Sequence, residues 1–245
     1  MDRMIYVAMT GAKHLFDQQA ASANNLANAS TTGFKAQIDA FHTVGVEGDG
    51  SPTRSYVMAS AIGTDVSPGP IETTGRSLDV AIDGQGYFAV QAADGSEAYT
   101  RAGTFQLGAD GTIQTLSGQP VMGDGGPITL PPDTTVQFAK DGTVNAISAD
   151  NRTPPVALGR LKLVNIDPAN LDRGTDGLFR QRDGQDASVD EKVRVTGGAL
   201  EGSNVNLTDS LVNMIEISRQ LEMQMKALHT GDTNAQSANE LLRHA

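Results

Sequence analysis

Three groups of residues have types and spacings that could support catalysis or ligand binding. Residues 84–89 read Gly-Gln-Gly-Tyr-Phe-Ala and match a loose dinucleotide-binding fingerprint. The residues that follow favour a strand, whereas the fingerprint needs a helix N-terminus to hold the pyrophosphate, so we predict no nucleotide site. The histidines are scattered without the HExxH spacing of a zinc protease: His14, His42, His229 and His244.

The densest acidic cluster contains Asp183, Asp186, Asp190 and Glu191. These residues lack the order and the central glycine of an EF-hand loop, so we interpret them as a solvated loop. A carboxylate pair for glycoside hydrolysis stays open, because a sequence does not show how far apart two carboxylates lie in space. The chain has no cysteine, which excludes disulfides, cysteine-ligated zinc and a thiol nucleophile. We therefore predict no catalytic residue, no metal ligand and no cofactor, and a protein that is not an enzyme.

The chemistry that the sequence favours is the packing of helices at its two ends. Apolar or small residues recur there at alternating steps of four and three residues, as in the seam of a coiled coil. Gln19 and Ser218 interrupt the two seams. The two ends can therefore pair with each other or with the ends of other copies. The predicted interface residues are Ile5, Met9, Ala12, Phe16, Ala23 and Leu26 in the first segment, and Leu207, Leu211, Met214, Leu221, Met225 and Leu228 in the last.

Three asparagines, Asn24, Asn25 and Asn28, extend the predicted interface of the first segment. Asparagine is a poor helix former, so the run can mark a helix end that frays. Alternatively, the amides form a hydrogen-bonded network between subunits in a crowded assembly core, where an unpaired amide would be costly. The sequence leaves both interpretations open.

Composition excludes several classes of partner. The chain has 245 residues and a formal net charge of -11, without the clustered basic residues of a nucleic-acid-binding protein. No run approaches the ~18 apolar residues that span a bilayer, so we predict no membrane insertion. The first residues lack the apolar region and cleavage site of a secretory signal. Composition alone would place the protein in the cytoplasm.

The pattern along the chain predicts a mainly β protein with terminal α-helices, in which an antiparallel β domain is inserted between N- and C-terminal helices that pair as a coiled coil. We place an N-terminal axial helix in residues 1–35, an extended connector in 36–76, the central β domain in 77–197 and a C-terminal axial helix in 198–245. The first helix should run from about residue 2 to 29. The second should run from 207 to about 242, with Asn206 as its cap and a bend or break near Gly231.

Asp-Gly dipeptides punctuate the middle of the chain and predict two-residue hairpins. Short β-prone runs lie between them, and their spacing favours an antiparallel sandwich or an open barrel. The runs are residues 79–82, 87–91, 112–114, 135–138 and 159–164. The dipeptides begin at Asp83, Asp94, Asp110, Asp124, Asp141, Asp176 and Asp183.

Four strings resemble motifs of the axial proteins of the bacterial flagellum, which form its rod and hook. They are residues 24–35 (NNLANASTTGFK), 78–88 (LDVAIDGQGYF), 99–105 (YTRAGTF) and 198–205 (GALEGSNV). They occur in the family's order and cover both ends and the middle. The first sixty residues are similar to proximal-rod members rather than to distal-rod members, and the chain is short for a hook protein.

The resemblance implies a structural subunit of the basal-body rod that assembles with copies of itself and with other rod proteins and transmits motor torque to the hook. It implies export by the flagellar type III apparatus without a cleavable signal peptide, and a location in the rod across the periplasm, in place of the cytoplasm. A distal-rod subunit is the alternative within the family. The alternative from another class is a periplasmic β-rich enzyme or ligand-binding protein with helical oligomerisation arms, which should gather unpaired polar residues in a pocket.

Overall fold

A computed structural model describes residues 2–45, 55–148 and 154–243 of the chain. The chain divides into two compact units. The helical unit comprises residues 1–29, 36–65 and 205–245, and the β unit comprises residues 30–35 and 66–204. The predicted mainly β protein with terminal helices is confirmed, because two long helices flank a chain of short strands.

The helical unit contains α1 (Asp2–Ala27), α2 (Leu207–Arg243), β1 (Gln37–Gly45) and β2 (Ser55–Thr64). The β unit contains β3 (Ile71–Thr73), β4 (Val80–Asp83), β5 (Tyr87–Gln91), β6 (Glu97–Thr100), β7 (Phe105–Leu107), β8 (Ile113–Thr115), β9 (Met122–Gly123), β10 (Gly126–Pro127), β11 (Thr134–Phe138), β12 (Thr143–Ser148), β13 (Val156–Arg160), β14 (Leu163–Val164), β15 (Leu171–Arg173), β16 (Phe179–Gln181), β17 (Arg194–Gly197) and β18 (Ala199–Glu201). A short 3₁₀ helix, Pro168–Asn170, precedes β15.

The two helices pack together and run antiparallel. The Ser22 hydroxyl donates to the Ser210 carbonyl oxygen at 3.5 Å, and a Cβ added at Gly11 would lie 3.1 Å from Nε2 of Gln224. Positions nearer the start of α1 therefore lie beside positions nearer the end of α2. Glycine costs a helix interior ~1 kcal/mol relative to alanine, and the atoms nearest to a Cβ at Gly11 belong to the end of the flexible Gln224 side chain.

The start of α2 follows the predicted cap. Oδ1 of Asn206 accepts hydrogen bonds from the backbone N–H groups of Thr208 at 3.0 Å and Asp209 at 3.4 Å. The N–H groups in the first turn of a helix have no carbonyl partner within the helix. The Asn206 side chain accepts the hydrogen bonds of two of them. The predicted break near Gly231 is wrong, because α2 continues to Arg243. A single glycine lowers helix stability without forcing a change of direction.

The segment expected to be an extended connector, residues 36–76, contains an antiparallel hairpin of β1 and β2. Residues 55–58, whose sequence also favours a short strand, lie in β2. The register runs from Gln37 opposite Thr64 to Gly45 opposite Ser55, with an irregularity between Asp39 and Phe41. Residues 46–52, whose glycines and proline favour a loop, lie outside the described residues.

The β unit consists of small antiparallel sheets. The largest has five strands in the order β14-β5-β6-β16-β15, and β11, β12 and β13 form a three-stranded sheet. β3 pairs with β18, and β4 pairs with β17. Residues 71–83 are thereby joined to residues 194–201, so the first and last strands of the unit close it. The expected run at residues 159–164 is divided between β13 and β14.

Both faces of the five-stranded sheet are covered around β5, which explains its continuous apolar sequence. Phe88 and Val90 enter the larger core, while Tyr87 and Ala89 enter a second cluster with Phe179. Phe88 meets Phe105 edge to face, with ring centroids 5.3 Å apart. Strand residues alternate between faces, so four consecutive buried residues require packing on both sides.

The Asp-Gly turns differ from the two-residue hairpins that we expected. In the β5–β6 hairpin, the Gly95 N–H donates to Ala92 O, and the Ala92 N–H donates to Ser96 O. This is a three-residue loop, in which a type I turn is followed by a glycine at positive φ. Oδ1 of Asp94 accepts from the Ser96 N–H at 3.0 Å, which stabilises the turn. The glycines of three equivalent turns are Gly111, Gly142 and Gly177.

Candidate assembly surfaces and a buried ion cluster

The face of α2 that is turned toward the rest of the helical unit follows a seven-residue pattern. Successive members are separated by alternating steps of four and three residues, the spacing with which one helix packs along another. Ile217 is the most buried, with 2% of its surface exposed. We call these residues the inner column of α2: Ser210, Met214, Ile217, Leu221, Gln224, Leu228 and Gly231.

The structure divides the predicted interface residues of α2 between two faces. Met214, Leu221 and Leu228 belong to the inner column and are half-buried. Leu207, Leu211 and Met225 are exposed. The predicted seam includes Ser218 and omits Ile217. The reason is that α2 has apolar residues on two adjacent faces, and their spacing in the sequence does not distinguish the two faces.

The predicted residues of α1 are divided in the same way. Ala12 is buried and Leu26 is half-buried. Met9 is 58% exposed and Phe16 is 54% exposed, and Ala23 is also exposed. Ile5 belongs to α1, but its side chain lies outside the described part of the chain.

The asparagine run has a defined role within the helical unit. The side-chain amide of Asn25 donates to Gln37 O at 2.9 Å, and its Oδ1 accepts from the Gln37 N–H at 2.8 Å. This reciprocal pair reproduces the hydrogen bonding of a neighbouring strand at the first residue of β1. Asn28 donates from Nδ2 to the carbonyl oxygen of Asn24 at 2.9 Å, and the Asn24 side chain is exposed.

The β unit contains a buried ion cluster centred on Glu201. Lys35 Nζ lies 2.7 Å from Oε1 of Glu201, and Arg101 donates from Nε to Oε2 at 2.6 Å. The exposed fractions of Lys35, Arg101 and Glu201 are 2%, 4% and 2%. Moving charges out of water is costly, and a buried ion pair is tolerated only when its geometry and its remaining hydrogen bonds are good.

The remaining donors of the cluster find backbone partners. Lys35 Nζ donates to Ser67 O at 2.6 Å, and Arg101 donates from Nη1 to Gly86 O at 2.7 Å and from Nη2 to Gly84 O at 2.8 Å. Glu201 Oε1 also accepts from the Gly69 N–H at 2.9 Å. The two glycines of the apparent nucleotide fingerprint thus supply carbonyl oxygens to an arginine.

Gly33 lies against the backbone of Arg101 and Ala102, next to the buried ion cluster. Gly33 has φ of +68°, and a Cβ there would lie 2.4 Å from the Ala102 nitrogen and from the Arg101 carbonyl carbon. Its N–H donates to Glu201 O at 2.8 Å. Both the left-handed backbone and the lack of space therefore require glycine at this position.

A cleft of 440 Å³ lies beside the cluster and is the candidate for an enzyme-like site. Lys35, Arg101 and Asp167 are its charged lining residues. The two cations are bound by Glu201, and the Asp167 carboxylate accepts from the Ala169 N–H. Burial raises the pKa of the Tyr87 hydroxyl, which also lines the cleft, and Arg101 opposes that rise. The two cations of the lining are therefore committed to Glu201, and Asp167 caps the 3₁₀ helix that follows it.

The acidic residues considered for calcium lie on the surface. Asp183, Asp186 and Glu191 are exposed and Asp190 is half-buried. Asp183 accepts from the Gln185 N–H, and Asp190 accepts from the Lys192 N–H, so two of the four stabilise turns. Among the helices that the structure describes, none has an apolar stretch long enough to cross a membrane.

Comparisons with known proteins find matches in three parts of the chain. Residues 5–35 match the model of the flagella basal body rod protein, residues 81–146 match the flagellar hook protein FlgE/F/G D1 domain, and residues 196–241 match the flagellar basal body rod FlgEFG protein C-terminal region. The chain is 45% identical to the flagellar basal-body rod protein FlgF of Escherichia coli (strain K12), with 99% of both chains covered. The chain belongs to the flagellar basal-body rod protein family.

Other members of the rod protein family give the same assignment. FlgF of Salmonella typhimurium is 44% identical over 99% of both chains. FlgG of Buchnera aphidicola subsp. Acyrthosiphon pisum is 33% identical over 89% of this chain and 91% of its own. These relatives are structural proteins of the basal-body rod, so the prediction of a structural rod protein is confirmed and the enzyme alternative is not favoured.

The buried ion cluster connects the three matched parts of the rod protein. Lys35 is the last residue of the first match, Arg101 lies in the second and Glu201 lies in the third. All three residues lie within the motifs that resemble the family, but the sequence does not show that they are in contact. The available signal is that each is the only charged residue of its motif.

Proposed function

We propose that this rod protein is a subunit of the proximal rod, which polymerises through its terminal helices and transmits motor torque to the hook. The contacts would involve copies of itself and other rod subunits. The main support is the exposure of large apolar side chains on both helices, among them Phe16 on α1 and Leu211 on α2. Contiguous apolar surface on a soluble protein commonly marks an interface.

The proposed interface includes the predicted residues that α1 and α2 leave outside their mutual contact. Met9, Phe16, Leu207, Leu211 and Met225 are all exposed. Methionine side chains are unbranched and adapt to unlike surfaces, which suits a short rod whose subunits meet different neighbours. Ala23 and Asn24 are also exposed and belong to the same proposed interface. The other predicted residues whose side chains the structure describes would support these contacts by fixing the helical unit: Ala12, Asn25, Leu26, Asn28, Met214, Leu221 and Leu228.

The proposed organisation assigns a mechanical role to each part of the chain. Residues 1–35 and 198–245 form the axial segments, which pair as a coiled coil, and residues 36–76 connect them to the β domain at 77–197. This domain is an insertion between the axial helices. The alternation of four and three residues along the inner column of α2 supports the coiled coil. A rod transmits torque only when its subunits do not slip, and interlocked apolar side chains resist such sliding.

The choice of proximal over distal rod rests on similarity. Identity is 45% and 44% to two FlgF proteins and 33% to FlgG of Buchnera aphidicola. We further propose that the subunit leaves the cytoplasm through the flagellar type III export apparatus without a cleavable signal peptide. Its place would be the rod that crosses the periplasm.

Deletion of the gene tests the proposed function. We expect the deletion strain to stop swimming and its purified basal bodies to lack a complete rod in electron micrographs. Complete rods and normal swimming would refute a role in the rod. A rod that lacks only its outermost part would favour the distal-rod alternative.

Complementation tests the part assigned to the helix surface. The double variant Leu211→Ser/Ile215→Ser removes two exposed apolar side chains of α2 and should leave the strain non-motile. The matched control Asn213→Ser/Gln220→Ser changes two exposed polar residues of the same helix and should restore swimming. Equal swimming of the two complemented strains would contradict assembly through this apolar surface.

A further inference from the structure

The Tyr87 hydroxyl is a polar group without a partner at the wall of the 440 Å³ cleft. Tyr87 is 5% exposed, and its ring packs against Phe179 with the centroids 5.4 Å apart. The hydroxyl forms no hydrogen bond with the described residues. It is not among the fully enclosed polar atoms that lack a partner there, so it opens to the cleft. Because buried polar groups are almost always hydrogen-bonded, this unpaired hydroxyl marks the cleft as a place where a ligand can bind.

Two strand ends bring three more polar side chains to the same cleft. Tyr87 begins β5 and pairs with Val164, the last residue of β14. Because the two strands are antiparallel, Gln85 before β5 faces Asn165 and Asp167 after β14, and all three line the cleft. The side-chain amides of Gln85 and Asn165 are exposed and bond to no described residue. Asp167 uses Oδ1 to cap the 3₁₀ helix, which leaves its Oδ2 free.

The charges around the cleft cancel. Lys35 and Arg101 are both held by Glu201, and Asp167 is the second carboxylate. Two positive and two negative groups leave no net charge for an ionic ligand, and moving an ion out of water without a partner is costly. Burial raises the pKa of Tyr87, so its hydroxyl stays protonated at neutral pH and can both donate and accept. The cleft therefore suits a neutral polar ligand.

The free groups of the cleft match the hydroxyl groups of a sugar. An alcohol hydroxyl both donates and accepts hydrogen bonds, as do the Tyr87 hydroxyl and the amides of Gln85 and Asn165. Val66 and Ile166 add apolar lining, against which the C–H groups of a sugar ring can pack. Small-molecule sites are clefts of about 300–1,000 Å³ that combine apolar lining with a few polar groups, and this cleft has both features.

An added peptide strand fits the cleft less well. A peptide that extends a sheet needs an open strand edge with unpaired N–H and C=O groups. β5 lies between β14 and β6. The other side of β14 is also occupied, because Val164 forms a bridge with Val189 and the Asp190 N–H donates to Leu163 O. The cleft therefore offers side chains rather than a strand edge, which favours a compact ligand.

We propose that the cleft binds a neutral sugar unit, with the buried Tyr87 hydroxyl at its base and the exposed amides of Gln85 and Asn165 at its rim. The free Oδ2 of Asp167 accepts a hydrogen bond from a sugar hydroxyl. The inference goes beyond the proposed function and does not depend on it, because it concerns binding by the β unit alone. Removing the Tyr87 hydroxyl should weaken sugar binding without weakening the fold, since the hydroxyl has no internal hydrogen bond to lose.

Saturation-transfer difference NMR on the purified full-length chain tests the site, with millimolar cellobiose, maltose and N,N′-diacetylchitobiose as the probes. We expect transfer to at least one of the three sugars, and a titration of that sugar gives its Kd. Tyr87→Phe should raise this Kd about fivefold or more, which corresponds to the loss of one hydrogen bond, and should leave the urea midpoint of unfolding unchanged. Asn165→Ala, at the exposed rim, should also raise the Kd.

Tyr99→Phe is the matched control, because Tyr99 belongs to the same core cluster as Tyr87 but its hydroxyl accepts the Ala187 N–H at 2.6 Å. This variant should lower the urea midpoint and leave the Kd for the sugar unchanged. An equal fall of the urea midpoint in Tyr87→Phe and Tyr99→Phe would show that the Tyr87 hydroxyl serves the fold, and would overturn the proposal.

The binding measurements can overturn the proposal in two further ways. Transfer to none of the three sugars would do so, as would a Kd that neither Tyr87→Phe nor Asn165→Ala changes. Tighter binding of the capped peptide acetyl-trialanine amide than of any sugar would make the cleft a peptide site instead. None of these outcomes depends on whether the chain joins the rod, so the sugar site and the proposed function can fail separately.

Discussion

Lys35 and Glu201 form a buried ion pair at 2.7 Å although 166 residues separate them in the sequence. Arg101 binds the other carboxylate oxygen of Glu201, so one anion holds two cations from distant parts of the chain. The three residues lie in three separately matched parts of the rod protein family. The β unit therefore completes this cluster only when its first, middle and last segments are together.

We predict that Glu201→Gln strongly destabilises the protein. The substitution leaves Lys35 and Arg101 buried without their anion, and breaking a buried pair in this way costs about 3–5 kcal/mol. Denaturant unfolding of the purified full-length chain, followed by far-UV circular dichroism, would measure the loss. If the variant does not fold, its low yield of soluble protein beside a normal yield of the control gives the same answer.

The surface pair Arg182–Asp172 supplies the matched control for this prediction. Its N–O distance is 3.1 Å and both side chains are largely exposed. Exposed pairs contribute about 0–1 kcal/mol, so Asp172→Asn should shift the unfolding midpoint only slightly. Similar losses for Glu201→Gln and Asp172→Asn would contradict a special role of the buried cluster.

Local sequence pattern predicted the elements whose environment is recorded in their own residues. β5 has the predicted bounds, since a run of apolar residues ending at Gln91 is enough to define a strand covered on both faces. Asn206 was recognised as a cap because its effect is confined to the next three residues. The turn at Asp94 was located correctly, but the loop has three residues because the hydrogen-bonding pattern depends on both strands.

Local sequence patterns do not predict contacts between residues that are far apart in the sequence. Nothing near Glu201 in the sequence shows that its partners are Lys35 and Arg101, because the pairing depends on contacts between distant segments, such as the hydrogen bond from the Gly33 N–H to Glu201 O. The helix seam illustrates a subtler limit. Ile217 and Ser218 are neighbours, and the choice of which one faces α1 depends on the relative rotation of two helices rather than on either sequence.

We predict that Gly33→Ala destabilises the β unit. A non-glycine residue at positive φ costs roughly 1–2 kcal/mol, and the added Cβ would also lie 2.4 Å from backbone atoms of Arg101 and Ala102. The total loss should therefore exceed about 2 kcal/mol in denaturant unfolding. Gly231→Ala is the matched control, because Gly231 is helical and nothing lies within 4 Å of its added Cβ. That substitution should stabilise α2 by up to ~1 kcal/mol, and a loss of similar size at both positions would contradict the argument.

The Asp-Gly turns predict how stability depends on pH. Hydrogen bonds from the side chain and N–H of Ser96 lower the pKa of Asp94, and those of Thr112 lower the pKa of Asp110. For Asp141 the Thr143 N–H is the larger cause, followed by the Thr143 hydroxyl. A carboxylate whose pKa is lowered by folding stabilises the native state above its unfolded pKa of 3.8, and this contribution is lost as the pH falls through the lower folded value.

Replacement of these aspartates by asparagine tests that pH dependence. In Asp94→Asn/Asp110→Asn/Asp141→Asn, the amide oxygen still accepts the backbone N–H groups but no longer titrates. The urea midpoint of the native chain should fall more steeply between pH 5 and pH 2 than that of the variant, both measured by circular dichroism. Parallel pH profiles would show that the turns do not contribute to acid sensitivity.

The Asn25–Gln37 contact predicts a local effect at the start of β1. Asn25→Ala removes a donor and an acceptor, at 2.9 Å and 2.8 Å, from the backbone of Gln37. An unsatisfied amide costs about 1–3 kcal/mol, so hydrogen exchange at the Gln37 N–H should accelerate about tenfold or more. Asn24→Ala is the control, because the Asn24 side chain is exposed and the bond that Asn24 accepts from Asn28 uses its backbone oxygen. Equal exchange rates at the Gln37 N–H in the native chain and in Asn25→Ala would contradict this prediction. The Asn25 side chain would then not hold the start of β1.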